Sequence, residues 1–222
     1  MTDPWQAFGA AASPAPWHDL YPASMPDGRV LELPIRDYGD VGVTGLIANQ
    51  ASFPVVRALS GWMADAARAL SPEVVLGLPT LGQVFAPQVA EMLGHTNWVP
   101  AGYTRKRWYE DALSVPISSS TGPGERRLWL DPRVAHRLRG RRVLLVDDVI
   151  STGTSAVAGL ALLALLGIRP VALSVALAQG DRWLSGWPAD VPVTAAFATP
   201  LLERIGTGWR EREGSRPSVL SP

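Results

Sequence analysis

Short apolar, β-branched runs alternate with longer stretches of helical periodicity along most of this chain. Val74–Leu78, Trp98–Tyr103, Val143–Val146, Val171–Ala178 and Val193–Thr199 have the length and composition of strands. Pro54–Leu70 places Val55, Leu59, Trp62 and Met63 at helical spacing and predicts a helix. Gln83–Leu93 predicts a second helix, stopped by Gly94. The Ala/Leu-rich segment Ala156–Leu166 predicts a third, ending at Gly167. Asp131-Pro132 predicts the start of a short helix, with Asp131 as N-cap and Pro132 at its first position.

Strands that alternate with helices predict an α/β fold, a parallel twisted sheet with helices on both faces. Such sheets bind ligands beyond the carboxyl ends of their strands. Two loops lie at such ends, one after Leu78 and one after Asp148. The flanks read differently. Residues 1–28 are rich in Pro and Ala and predict an irregular segment, with Trp5, Phe8, Trp17 and Tyr21 pinning it to the body. The main domain is expected over 29–206, followed by a polar, disordered tail over 207–222.

Composition narrows the classes. A chain of 222 residues can bury a full core in one domain. Formal net charge is zero, so no nucleic-acid or membrane partner is expected. There is no cysteine, hence no disulfide framework and no thiolate chemistry. Residues before Val30 lack the basic-then-apolar order of a signal peptide, and Ala156–Ile168 is too short to span a bilayer. A cytoplasmic protein is the expectation. His18, His95 and His136 fit no metal-ligand spacing, so no protein metal site is expected. Of the 20 basic residues, Lys106 is the only Lys, and it stands between Arg105 and Arg107.

The chemistry concentrates at residues 143–155. The apolar run ends in two adjacent carboxylates, Asp147 and Asp148. Ser151-Thr152-Gly153-Thr154-Ser155 follows and leads into the third helix. The start of a helix favours an anion, because its N–H groups are unpaired and its dipole is positive there. Gly153 lets the backbone approach closely, and four hydroxyls surround it. No Lys is present, so this is not the phosphate loop of the NTPases. Carboxylates at the strand end are acceptors suited to paired hydroxyls. The ligand suggested is a ribose 5-phosphate group.

All thirteen positions of this stretch fit the signature of the type I phosphoribosyltransferases, which it resembles: four apolar residues, two acidic, two apolar, then the hydroxyl-and-glycine loop. The resemblance implies that Asp147 and Asp148 hold the ribose hydroxyls of phosphoribosyl pyrophosphate (PRPP). It implies that Ser151, Thr152, Gly153, Thr154 and Ser155 wrap the 5-phosphate. It further implies pyrophosphate binding by the loop Gly77–Gln83, through Thr80, Leu81 and Gly82. The family often has a basic residue before that Gly; here Thr80 and Leu81 stand in its place.

Tyr103–Asp111 opens a long stretch to Arg127 that includes Ser118–Gly124. A loop this long is usually functional or disordered. Displacing pyrophosphate from a ribose passes through an oxocarbenium-like state that water would also attack. A closing loop would exclude water and bring cations to the leaving group. Arg105 and Lys106 resemble the Arg-Lys that opens this lid in adenine phosphoribosyltransferases, which implies pyrophosphate contacts for both and a catalytic role for Lys106. Glu110 or Asp111 would supply a carboxylate near the base. Ile35–Leu59, with Asp37–Asp40 and Ser52–Pro54, resembles the small hood over the base, and Trp183 is a second candidate for stacking on it. The matching residue to Ser151 is Asp in hypoxanthine-guanine enzymes, which points away from that type.

The resemblance therefore implies a Mg²⁺-dependent transferase, closest to the adenine type, that joins a nitrogenous base to PRPP and releases pyrophosphate. It also implies a homodimer, with Mg²⁺ carried by the substrate. The alternative is a protein that binds PRPP as a signal without catalysis, favoured by the unusual Thr80-Leu81 loop.

Overall fold

A computed structural model describes residues 3–117 and 126–220, so Ser118–Gly124 of the expected lid lies outside the described residues. Twelve strands and three α-helices follow one another in chain order. They are β1 (Leu20–Ser24), β2 (Val30–Asp37), β3 (Val41–Thr44), α1 (Phe53–Arg68), β4 (Val74–Gly77), α2 (Gly82–Met92), β5 (Val99–Gly102), β6 (Ser114–Pro116), β7 (Arg127–Leu130), β8 (Val143–Ile150), α3 (Thr154–Ala164), β9 (Ala172–Gln179), β10 (Val193–Thr199), β11 (Leu202–Ile205) and β12 (Gly208–Glu211).

The main sheet has the order β10-β9-β8-β4-β5-β7-β6. Its first five strands are parallel, and β7 and β6 add an antiparallel edge. The parallel core is buried on both faces, which is why its strands read as nearly unbroken apolar runs. Leu144 and Val146 pack on the face covered by α1 and α2, while Val143 and Leu145 pack on the opposite face with α3. The α/β architecture with helices on both faces is thus as the alternation predicted.

Sequence punctuation sets the helix ends. Ser52 Oγ accepts the Val55 N–H at 3.4 Å and caps α1, whose Val55, Leu59, Met63 and Ala67 are buried. Beyond α3, Gly167 has φ +69° and the Ile168 N–H returns to the Leu163 carbonyl at 3.1 Å, a closure that only a left-handed residue permits at low cost.

The expected loop between Tyr103 and Arg127 contains β6 and leads directly into β7. They form because the free edge of β5 offers unpaired backbone groups to an antiparallel partner. The short helix expected at Asp131 is a turn instead. Asp131 Oδ1 accepts the Arg133 N–H at 2.9 Å, and only the single 3₁₀ turn Ala135–Arg137 follows before β8.

Both flanks differ from expectation. A second, antiparallel sheet has the order β1-β2-β3-β11-β12, so it joins the two ends of the chain. The segment expected to be irregular supplies β1, and Trp5 is buried with its Nε1–H on the Gly45 carbonyl at 3.0 Å. The tail expected to be disordered supplies β12. Trp209 there is buried and exchanges backbone hydrogen bonds with Trp17 at 2.7 and 2.9 Å. Further on, Arg216 reaches Glu211 at 2.9 Å and the Tyr21 hydroxyl at 3.0 Å. Among the described residues no helix is long and apolar enough to cross a membrane.

Candidate active site

The chain runs from β4 through α2 to β5 in one direction, then returns to place β8 on the other side of β4. The sheet therefore reverses direction between β4 and β8, and a crevice opens at the carboxyl ends of these two strands. Both loops singled out in the sequence leave from this point. The Leu78 N–H donates to the Val146 carbonyl at 2.8 Å, which locks them side by side.

The strand β8 continues past the acidic pair to Ile150, because β9 is long enough to extend its ladder to Ala178 while β4 stops at Gly77. Asp147 is buried and Asp148 is half-buried. Asp147 Oδ1 accepts the Asp148 backbone N–H at 2.9 Å. Burial, and next the charge of Asp148, push the Asp147 carboxyl well above the usual range. Burial raises Asp148 as well. Two carboxylates side by side in a low-dielectric crevice favour positive charge brought to them.

The loop 151–155 curls around the start of α3. Gly153 has φ +83°, a conformation that requires glycine there, and Thr152 and Thr154 hydroxyls stand 3.2 Å apart. Residues 148–156 enclose a cavity of about 240 Å³. Unpaired N–H groups of the helix start favour an anion there.

A larger cavity of about 570 Å³ adjoins it and shares Asp148, Ser151 and Thr152. The segment expected to form a hood also lines it, through Arg36, Tyr38, Val43 and Ile47. Leu81 of the first loop also lines it. Thr80 is exposed, and Gly82 lies against Asp147. The Tyr103 hydroxyl donates to the Pro79 carbonyl at 2.8 Å and steadies this loop from the neighbouring strand. Burial raises the Tyr103 hydroxyl above its usual value, with the charges of Asp147 and Asp148 acting in the same direction.

The basic segment stands apart from this centre. Arg105 pairs with Asp111 at 3.1 Å, and the Lys106 carbonyl accepts the Tyr109 N–H in a turn. Lys106 and Glu110 are exposed, and the linings of the two cavities include neither. Trp183 is not a stacking platform. It is buried, its Nε1–H is spent on the Gly180 carbonyl at 2.9 Å, and it packs beneath Gly153.

A chain of polar contacts escaped the sequence reading. Arg182 donates to Ser151 Oγ at 2.7 Å, and Ser151 Oγ donates to Gln179 Oε1 at 3.0 Å. Gln179 in turn donates to the Thr44 carbonyl and, at 2.8 Å, to Thr44 Oγ1, which meets Thr199 Oγ1 at 2.9 Å. This ties the 151–155 loop to β3. Gln179 ends β9, so its place at a carboxyl strand end was a signal that could have found it.

Known proteins share this arrangement. The family model described as "Phosphoribosyl transferase domain" matches residues 42–186. An adenine phosphoribosyltransferase of Frankia casuarinae is 35% identical over 163 residues, covering 71% of this chain and 80% of the relative. A hypoxanthine/guanine phosphoribosyltransferase of Methanosphaerula palustris is 32% identical over 93 residues, covering 42% of this chain and 49% of that protein. The crystal structure of adenine phosphoribosyltransferase from Rhodothermus marinus superposes with a TM-score of 0.57 at 20% identity, covering 74% of this chain and 93% of that one. With the family model spanning more than half of the chain, the protein belongs to the phosphoribosyltransferases.

Proposed function

We propose that the protein transfers the phosphoribosyl group of PRPP to a nitrogenous base, in an adenine-type reading a purine, and releases pyrophosphate. The observation that supports this reading is the packing of Gly82 directly on Asp147, which brings the loop after β4 against the acidic pair. In the reaction the base nitrogen forms a bond to C1 of the ribose. The C1–oxygen bond breaks, and pyrophosphate leaves with its electron pair. The base loses its proton.

Asp147 and Asp148 hold the ribose hydroxyls and favour the charge that develops at C1. Ser151, Thr152, Gly153, Thr154 and Ser155 take the 5-phosphate. Thr80, Leu81 and Gly82 offer backbone to pyrophosphate. Arg105, Lys106 and Glu110 act on closure of the segment that bears them, which excludes water and brings cations to the leaving group.

Mg²⁺ fits as a cation carried by substrate. Asp147 and Asp148 offer the hard oxygen acceptors it prefers. When bound, it would neutralise charge on the pyrophosphate. A homodimer belongs to the same reading; sedimentation at the monomer mass would exclude it.

The test is nucleotide formation from PRPP and Mg²⁺ with adenine, hypoxanthine, guanine, xanthine, uracil and orotate. Turnover of a purine is the expected result. No turnover of any base by folded protein would sink the transfer reading, and saturable PRPP binding in that case would favour the signal-binding alternative.

A further inference from the structure

We propose that Arg36 selects the acceptor, and that the acceptor presents an oxygen edge to it, a ring carbonyl or a carboxylate. This rests on the transfer reading above and departs from its adenine-type choice of base.

Two groups of residues line the larger cavity. Asp148, Ser151 and Thr152 would face the sugar and phosphate. Val43, Leu46 and Ile47 of the hood, with Leu81 of the first loop, offer apolar walls suited to a flat ring. A base joined to C1 of the ribose would extend towards these walls. Arg36 is the charged residue that the hood adds to this lining, placed there by β2.

Two observations show that Arg36 is kept available. A Cβ on Gly45 would stand 3.1 Å from Arg36 Nε and 3.6 Å from its guanidinium carbon, so a glycine on the facing backbone leaves the guanidinium its room. The adjacent acid, Asp37, is held by Arg204 and does not neutralise Arg36. Among the described residues Asp148 is the only carboxylate lining this cavity, and the transfer reading commits it to the ribose. The second guanidinium there, Arg182, is held at the phosphate loop by Ser151 at 2.7 Å. Among the described residues no carboxylate pairs with Arg36.

A guanidinium carries donors and no acceptor. Opposite an exocyclic amine, as in adenine, it meets N–H with N–H. Opposite a ring carbonyl or a carboxylate, its planar fork finds in-plane oxygen acceptors. Ser151 stands where hypoxanthine-guanine enzymes carry Asp; Arg36 supplies a different route to an oxo base, from the hood side.

The test measures the affinity of ribose 5-phosphate and of the 5′-monophosphates of adenosine, inosine, xanthosine and orotidine. Without pyrophosphate no turnover intervenes, and the ribose 5-phosphate part is common to all. The oxo and carboxylate nucleotides are expected to bind on the order of tenfold more tightly than the adenosine form. Arg36→Leu should compress this preference to within about threefold and leave ribose 5-phosphate affinity unchanged, while Arg36→Lys, with charge but no fork, falls between. Equal or tighter binding of the adenosine form, or a preference that survives Arg36→Leu, would overturn the proposal. Ribose 5-phosphate binding with no discrimination among bases overturns this inference alone. Failure of ribose 5-phosphate and all four nucleotides to bind overturns the transfer reading with it.

Discussion

A Cβ added to Gly82 would stand 2.8 Å from the Asp147 Cα and 2.8 Å from its Oδ1, with the Val146 carbonyl at 3.0 Å. The first loop therefore reaches the acidic pair only because residue 82 has no side chain. Backbone cannot give way as a flexible side chain does. Gly82→Ala should cost about 1–3 kcal/mol in stability through overpacking. Its effect on the ligand should be larger, because the displaced atoms belong to Asp147 itself. PRPP affinity is expected to fall at least tenfold in a calorimetric titration, and an unchanged affinity in folded Gly82→Ala protein would separate the two loops functionally.

The acidic pair should trade stability for ligand binding. Burial raises the Asp147 carboxyl above its unfolded value, so the folded chain binds more protons than the unfolded chain between those two values. Its contribution is fully present below the unfolded value, about pH 4, and is lost as pH rises through the folded value. Asp147→Asn removes that penalty and can still accept the Asp148 N–H. The variant should melt above the parent at neutral pH, with the gap closing toward about pH 4. Ribose 5-phosphate affinity should drop on the order of tenfold or more, as for the loss of a charged hydrogen-bond partner. Melting curves across pH beside one binding titration check both halves. A variant less stable than the parent at neutral pH contradicts the burial argument.

The parts of this protein that sequence made legible are those where local pattern and tertiary role coincide. Val143–Val146, Val193–Thr199 and the Ser52-capped helix are buried elements whose composition reports their surroundings directly. The loop at 151–155 was legible because a helix start, a glycine and hydroxyls are adjacent in sequence. The hood's position was expected at Ile35–Leu59, but its sheet was not, because β3 pairs with β11 some 160 residues away. Trp209 and Trp17 sit in Pro-, Gly- and Arg-rich surroundings that locally resemble a loose terminus. Arg36 and Thr44 share the local β2–β3 hairpin, but their meeting with Gln179 at one cavity joins residues more than a hundred positions apart.

Gln179 offers a test of the contact chain that joins loop to hood. Its amide is buried, accepts from Ser151 and donates to Thr44. Gln179→Leu fills similar space and strands both partners. Leaving buried polar groups unsatisfied should cost about 1–3 kcal/mol. Ser151 would keep Arg182 as a donor but lose its own acceptor, so the phosphate loop should also bind ribose 5-phosphate more weakly. Gln179→Glu retains the acceptor for Ser151 and loses the donor to Thr44, and it should preserve more of the phosphate affinity than Gln179→Leu. Equal phosphate affinity in the two variants would deny the loop any dependence on this contact.

The C-terminal strand makes the sharpest contrast with a disordered tail. Trp209 is buried against Gly42, where a Cβ would come within 2.8 Å of its ring, and Arg204 lies 4.3 Å over that ring. A removed tail would be neutral if it were loose. Here Trp209→Ala should cost about 3–5 kcal/mol, the range for an aromatic side chain lost from a core. Deletion of residues 207–222 should cost more, since β12 also supplies the backbone partner of Trp17. The loss would reach the site, because β11 and β3 would no longer be braced and β3 carries Val43 and Thr44 to the cavity. Denaturant unfolding of both variants, read beside nucleotide affinity, checks this. A tail deletion that leaves stability and affinity intact would show that the hood does not need its last strand.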